Sequence, residues 1–191
     1  MKLSNLTLSL SAFTLTAVAV FAAQDKTKPA PEPQMPPAPK PGPQHKIIER
    51  KVGTWDATFS IPGAPPSTDK AVYIAKMDCG GLWLIGDYRG TFMGGSFVGH
   101  EVEGYDTKKA KYVSTWVDSM MDHIMAFEGD WDGKTQTMTM FTDSYDMTGK
   151  PIKERHDTKF IDADTWVFTM NSLGTDGKYS PTMTVNYERK L

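Results

Sequence analysis

The stretch Val52-Gly53-Thr54-Trp55-Asp56-Ala57-Thr58-Phe59-Ser60-Ile61 decides how this chain reads. Trp55, Ala57, Phe59 and Ile61 alternate with Thr54, Asp56, Thr58 and Ser60. Successive strand side chains point to opposite faces, so the pattern predicts a half-buried strand with one apolar face. The same alternation recurs near residue 185, where Met183, Val185 and Tyr187 are interleaved with Thr182, Thr184, Asn186 and Glu188. Between the two stretches, turn signals return about every dozen residues. They are Gly80-Gly81, Gly94-Gly95, Asp106-Thr107-Lys108-Lys109, Asp132-Gly133, Thr148-Gly149, Asp162-Ala163-Asp164 and Asp176-Gly177. The Asp-Gly pairs favour tight hairpins because a type I′ turn needs positive φ at both central residues.

About ten strands follow from this spacing: 54–61, 70–78, 81–91, 95–105, 111–119, 122–130, 134–145, 151–161, 164–172 and 178–189. Consecutive hairpins make an antiparallel up-and-down meander, and closing it into a barrel removes its unpaired edges. The predicted fold is therefore all-β: a single meander closed into a barrel. A short helical turn over 45–51, carrying Ile47 and Ile48, precedes it.

Upstream of the barrel the chain changes character twice. Residues 1–23 have a basic start at Lys2, an apolar run from Leu6 to Phe21 and small residues at Ala22 and Ala23. That order predicts a signal peptide, with an uncleaved anchor as the alternative. Residues 24–44 contain Pro29, Pro31, Pro33, Pro36, Pro37, Pro39, Pro41 and Pro43. Proline blocks helix and sheet ladders alike, so this segment reads as a disordered proline-rich tether. The β-barrel domain is expected over 45–191, in a secreted or periplasmic protein of the bacterial cell envelope. No stretch after the leader is apolar enough to span a bilayer.

Charge narrows the function. The chain has 21 Lys and Arg against 23 Asp and Glu; losing the leader removes only Lys2, giving a net charge of −3. Without a basic block, nucleic acid binding has no phosphate-neutralising surface. The single cysteine, Cys79, leaves no internal disulfide, and it is expected as a small buried residue rather than a reactive thiol.

Gly53-x-Trp55 at the first strand resembles the opening motif of the calycins, the group of lipocalins and fatty-acid-binding proteins. In that group the tryptophan plugs the closed barrel end and a basic residue of the last strand packs over its ring. The resemblance implies structural roles for Gly53, Trp55 and Arg189. A longer set of motifs resembles the bacterial family described as domain of unknown function 1579. It comprises Gly53-x-Trp55, Gly80-Gly81-x-Trp83-Leu84, Gly104-Tyr105-Asp106 and the segment Tyr112-Val113-Ser114-x-Trp116-Val117-Asp118-Ser119, with Gly129-x-Trp131-Asp132 and Asp146-x-x-Gly149 beyond. That resemblance implies a small, often exported domain without an assigned activity, so it transfers no catalytic residues.

The residues offer several candidate sites. Trp116 and Asp118 share a strand face with Tyr112 and Ser114, while Val113, Thr115 and Val117 form an equally credible inner face. An inward Asp118 could hold a ligand's polar group; alternatively it caps the turn at Met120-Met121. In the strand 151–161, Lys153, Arg155, Asp157 and Lys159 must face water, which sends Ile152, Glu154, His156, Thr158 and Phe160 inward. A buried carboxylate and imidazole are costly unless paired or wet. They point either to a ligand-holding interior or to an internally satisfied pair. Met120, Met121, Met125, Met138, Met140 and Met147 crowd the middle strands and suit a pliable apolar lining, with Trp83, Trp116, Trp131 and Trp166 joining them.

His100, His123 and His156 lack zinc-ligand spacing, and no metal or cofactor is expected. No nucleophile elbow, phosphate loop or dinucleotide fingerprint occurs. The leading expectation is a protein binding a small hydrophobic or amphipathic ligand inside a barrel, through Glu154, His156, Trp116, Asp118, Met138 and Met140. The alternatives are an enzyme using His156 with Glu154 or Asp118 as acid and base, and a ligand-free interaction module. The oligomeric state is left open.

Overall fold

A computed structural model describes residues 35–146 and 148–190. The expected signal peptide, residues 1–23, and residues 24–34 of the expected tether lie outside them. A short helix α1 (His45–Ile48) runs into a 3-10 turn (Glu49–Lys51). Ten strands follow: β1 (Gly53–Ser60), β2 (Ala71–Asp78), β3 (Trp83–Phe92), β4 (Gly95–Asp106) and β5 (Lys111–Asp118), then β6 (Met125–Asp132), β7 (Thr137–Tyr145), β8 (Pro151–Phe160), β9 (Thr165–Leu173) and β10 (Tyr179–Arg189).

Each strand pairs antiparallel with its neighbours in sequence, and β1 closes the barrel on β10. The closing register sets Trp55 opposite Arg189 and Phe59 opposite Val185. Closure leaves no open edge in the sheet, which removes the unpaired backbone that would otherwise recruit another strand. Ten strands make a barrel wider than side chains alone fill, so the topology itself provides an interior.

The turns follow local chemistry. Met93 and Gly94 both adopt positive φ and join Phe92 to Gly95 as a two-residue turn. Asp132-Gly133 behaves differently from the tight hairpin expected of it. The Asp132 carboxylate accepts hydrogen bonds from the Lys134 backbone N–H and the Thr135 hydroxyl, lengthening the loop, and the positive φ falls on Gln136. Strand β7 consequently begins at Thr137 rather than near 134.

One end of the barrel is sealed by α1 and the 3-10 turn. Ile48, Trp55, Tyr73 and Leu84 are fully buried there. The Trp55 indole N–H donates to the Lys51 carbonyl at 2.8 Å, tying the turn to β1. Trp166 stacks on Tyr187 at 3.6 Å and meets Trp55 edge-on at 5.8 Å. The opposite end, where β5 leaves toward β6 and β7 toward β8, is open.

Candidate functional site

The inward faces of the strands enclose a cavity of about 1330 Å³. Its shape owes much to glycine. A Cβ on Gly99 would sit 2.2 Å from the Trp116 ring, and one on Gly86 would sit 2.4 Å from the Tyr73 hydroxyl. Missing side chains at these two wall positions let the aromatic rings of neighbouring strands lie against the sheet instead of crossing the interior.

Midway along the cavity, Glu154 and His156 project inward from β8 together with Ile152 and Thr158. The Glu154 side chain is 7% exposed and that of His156 11%. His156 Nε2 lies 3.1 Å from Glu154 Oε2. The imidazole is framed by Phe127 and Phe168, with ring centroids at 4.6 and 5.0 Å. Met138 and Met140 of β7 pair across from Thr158 and His156, and Met125 of β6 lies opposite Trp116, so soft apolar surface adjoins the polar pair.

Toward the mouth, β5 turns Tyr112, Ser114, Trp116 and Asp118 inward; Val113, Thr115 and Val117 take the outer face. Asp118 accepts the Trp116 indole N–H at 2.7 Å and the Met120 backbone N–H at 2.7 Å. It therefore caps the turn and lines the cavity at once. Trp116 lies parallel to Phe97, with Tyr88 edge-on to both. Met120, Met121 and His123 rim the opening, and the His123 ring stands edge-on to Tyr145.

The floor carries a charged cluster that the sequence reading did not single out. Lys51 Nζ donates to both oxygens of Glu101, at 2.7 and 2.8 Å, and to Glu103 Oε2 at 2.6 Å. The Tyr73 hydroxyl donates to Glu101 Oε2 at 2.5 Å. The signal was present in β4: Phe97 and Tyr105 share parity with Glu101 and Glu103, whereas Val98 and Val102 draw the eye to the opposite face. Burial pushes the Glu103 carboxyl up to about 7, against the pull of Lys51 and reinforced by the negative charge of Glu101. Burial acts in the same upward direction on Glu101, yet Lys51 and the Tyr73 hydroxyl overcome it and hold that carboxyl below its usual range. For Lys51, burial is outweighed by the two carboxylates, which keep the ammonium charged. Burial and the neighbouring Glu101 raise the Tyr73 phenol.

The remaining sequence candidates are distributed as follows. The Arg189 guanidinium sits 4.1 Å above the Trp55 ring and donates to the Val52 and Ala163 carbonyls. Gly53 adopts φ 133°, and a Cβ there would meet Arg189 Nη1 at 2.4 Å. Trp166 lines the cavity, but two of the other expected tryptophans do not. Trp83 lies across Gly104 on the outer face, and Trp131 packs beside Phe160 near Arg50. Met147 lies outside the described residues. Cys79 is exposed, correcting the expectation of a buried filler. It occupies the sharp turn before Gly80 at φ 50°, where the chain reverses at the barrel's end and no core surrounds it. His100 points outward to Asp87, so the histidines do not converge. Among the described residues no three His, Cys, Asp or Glu side chains are grouped to hold a metal ion, and no helix is long and apolar enough to cross a membrane.

Comparison with known proteins adds the family and the fold. The family model for a protein of unknown function, DUF1579, matches residues 40–189. No curated protein matches the chain. Among solved structures, the S-type phycobiliprotein lyase CPES from Guillardia theta aligns with a TM-score of 0.50 at 13% identity, covering 78% of this chain and 93% of the lyase. A redesigned β-barrel aligns with a TM-score of 0.39 at 13% identity, covering 77% of this chain and 95% of the design.

Proposed function

The chain belongs to the DUF1579 family, and from that premise we propose that its barrel binds a small, partly apolar molecule in its interior. The observation that carries this reading is the cavity of about 1330 Å³ built around the His156–Glu154 pair. It exceeds the roughly 300–1,000 Å³ common for small-molecule sites, and like them it is mostly apolar with a few placed polar groups. Burial of ligand surface against Met138, Met140, Phe127 and Phe168 drives binding; His156, Glu154 and Asp118 orient the polar end. A filled, purely structural barrel would have no such space. Residues 1–23 support placing this activity outside the cytoplasm, in the cell envelope or beyond; fractionation of the producing cells tests that part.

Native mass spectrometry after detergent-free purification tests the binding reading, together with thermal shifts across a panel of hydrophobic and amphipathic compounds. A retained adduct or a saturable stabilisation supports it. An empty barrel that no compound stabilises overturns it.

One contact favours a second reading. A histidine held by a carboxylate at 3.1 Å is the arrangement of an oriented general base. Under this reading His156→Ala abolishes turnover while leaving the fold intact; under the binding reading it changes affinity by a modest factor.

A further inference from the structure

Resting on the binding reading, we infer that the cavity selects cationic amphiphiles, molecules with an apolar body and an amine or quaternary ammonium end, and disfavours fatty acids and other anionic ones. Charge sets this preference. Glu101, Asp118 and Glu154 present carboxylates to the cavity, against Lys51 and His156, while Glu103 beside Lys51 retains a proton. Both basic groups already have internal carboxylate partners. Lys51 already makes three short contacts to Glu101 and Glu103. His156 already faces Glu154.

A carboxylate or sulfate end would therefore have to displace an internal carboxylate from its partner. It would do so beside carboxylates that are themselves largely buried, where like charges repel more strongly than in open water. Asp118 is held only by neutral donors, the Trp116 indole and the Met120 amide, and no ion pair among the described residues neutralises it. At the mouth Asp122 and Asp146 add further negative charge, with His123 beside Asp122 and Lys150 near Asp146.

The walls act in the same sense. Aromatic faces carry negative potential and attract ammonium groups. Trp116, Phe97 and Tyr88 gather such faces near Asp118, whereas Phe127 and Phe168 flank His156, the partner of Glu154. An ammonium end thus finds aromatic contact and an unneutralised carboxylate at the Asp118 level, while its alkyl body meets the methionines deeper in the cavity.

The test uses the full-length protein and three probes of one chain length, decyltrimethylammonium, decanol and decanoate, titrated below micelle-forming concentrations by isothermal calorimetry. Expected is binding of the cation at least tenfold tighter than of decanoate and tighter than of decanol. Equal affinities, or a preference for decanoate or decanol, overturn the inference while leaving the binding reading intact. Failure of all three to bind overturns the inference, and the native mass spectrometry and compound panel above then decide the binding reading. Glu154→Gln and Asp118→Asn remove charge without volume, and circular dichroism reports whether each folds. The double variant is expected to lose the preference for the cation over decanoate; a folded double variant that retains it overturns the assignment to these carboxylates.

Discussion

Glu103 receives the Lys51 ammonium at 2.6 Å with both side chains cut off from water, and Glu101 shares the same ammonium. Three buried ionisable groups with two negative charges and one positive favour retention of a proton, and Glu103 is where it resides. Its folded pKa of about 7 lies above the ordinary 4.5. The folded protein therefore binds a proton more tightly than the unfolded chain between these values. That contribution is fully present below about pH 4.5 and is lost as pH rises through 7. Glu101 acts in the opposite sense, its contribution disappearing as acid protonates it. Stability should peak in weakly acidic solution and decline toward neutrality by up to about 3 kcal/mol. Urea unfolding from pH 4 to 9 measures this. Glu103→Gln should flatten the decline, and an unchanged profile in that variant would refute the assignment.

Lys51 is the keystone of the cluster. Lys51→Met leaves two carboxylates buried without a cation and should destabilise the barrel by about 3–5 kcal/mol at pH 8. Replacing all three charges together, as Lys51→Met with Glu101→Leu and Glu103→Leu, should recover most of that loss, because an apolar group of similar volume needs no partner. Chemical denaturation of the single and triple variants at one pH compares them; a triple variant no more stable than the single one would show that packing, not charge, dominates there.

Arg189→Ala removes the guanidinium from the Trp55 ring together with its bonds to the Val52 and Ala163 carbonyls. An expected loss of about 1–3 kcal/mol follows from the cation–π and charge-assisted hydrogen bond terms. The emission of the protein's tryptophans should change as the seal over Trp55 opens, which steady-state fluorescence detects without denaturant.

Gly99→Ala forces a methyl group into the Trp116 ring. The ring must swing into the cavity, so the variant should stay folded yet bind the best probe at least fivefold more weakly. Calorimetry reads the affinity and near-ultraviolet circular dichroism reads the ring's displacement.

Cys79, exposed on its turn, should react fully with Ellman's reagent in the native state, and Cys79→Ser should shift stability by less than about 0.5 kcal/mol. A thiol that reacts only after unfolding would contradict the exposed position.

Alternation made the strands and their closure legible, because parity is a local property. It placed Glu154 and His156 inward through the run of charges on their opposite face. Asp118 was ambiguous because Val113 and Val117 offered a rival inner face, and only the barrel's curvature chose between them. The floor cluster was the larger omission. Lys51 comes from a turn outside the strand pattern, and nothing local tells that its ammonium reaches carboxylates 50 and 52 residues away. Cys79 failed for a related reason: small apolar character argues for burial only where an element has a core side, and a reversing turn has none. Asp132-Gly133 failed because a side chain competed with the backbone for control of the turn.

The barrel's ten strands are joined in order, and a single pairing, β1 with β10, is remote in sequence. The Arg189 side chain reaches the Val52 carbonyl across 137 residues to fasten it. Nine hairpins can form as fast as local loops close, but the ring waits for its last member. Until then the nascent sheet is a curved ribbon with two raw borders, and the time spent in that state governs how much of the chain is lost to aggregation during folding.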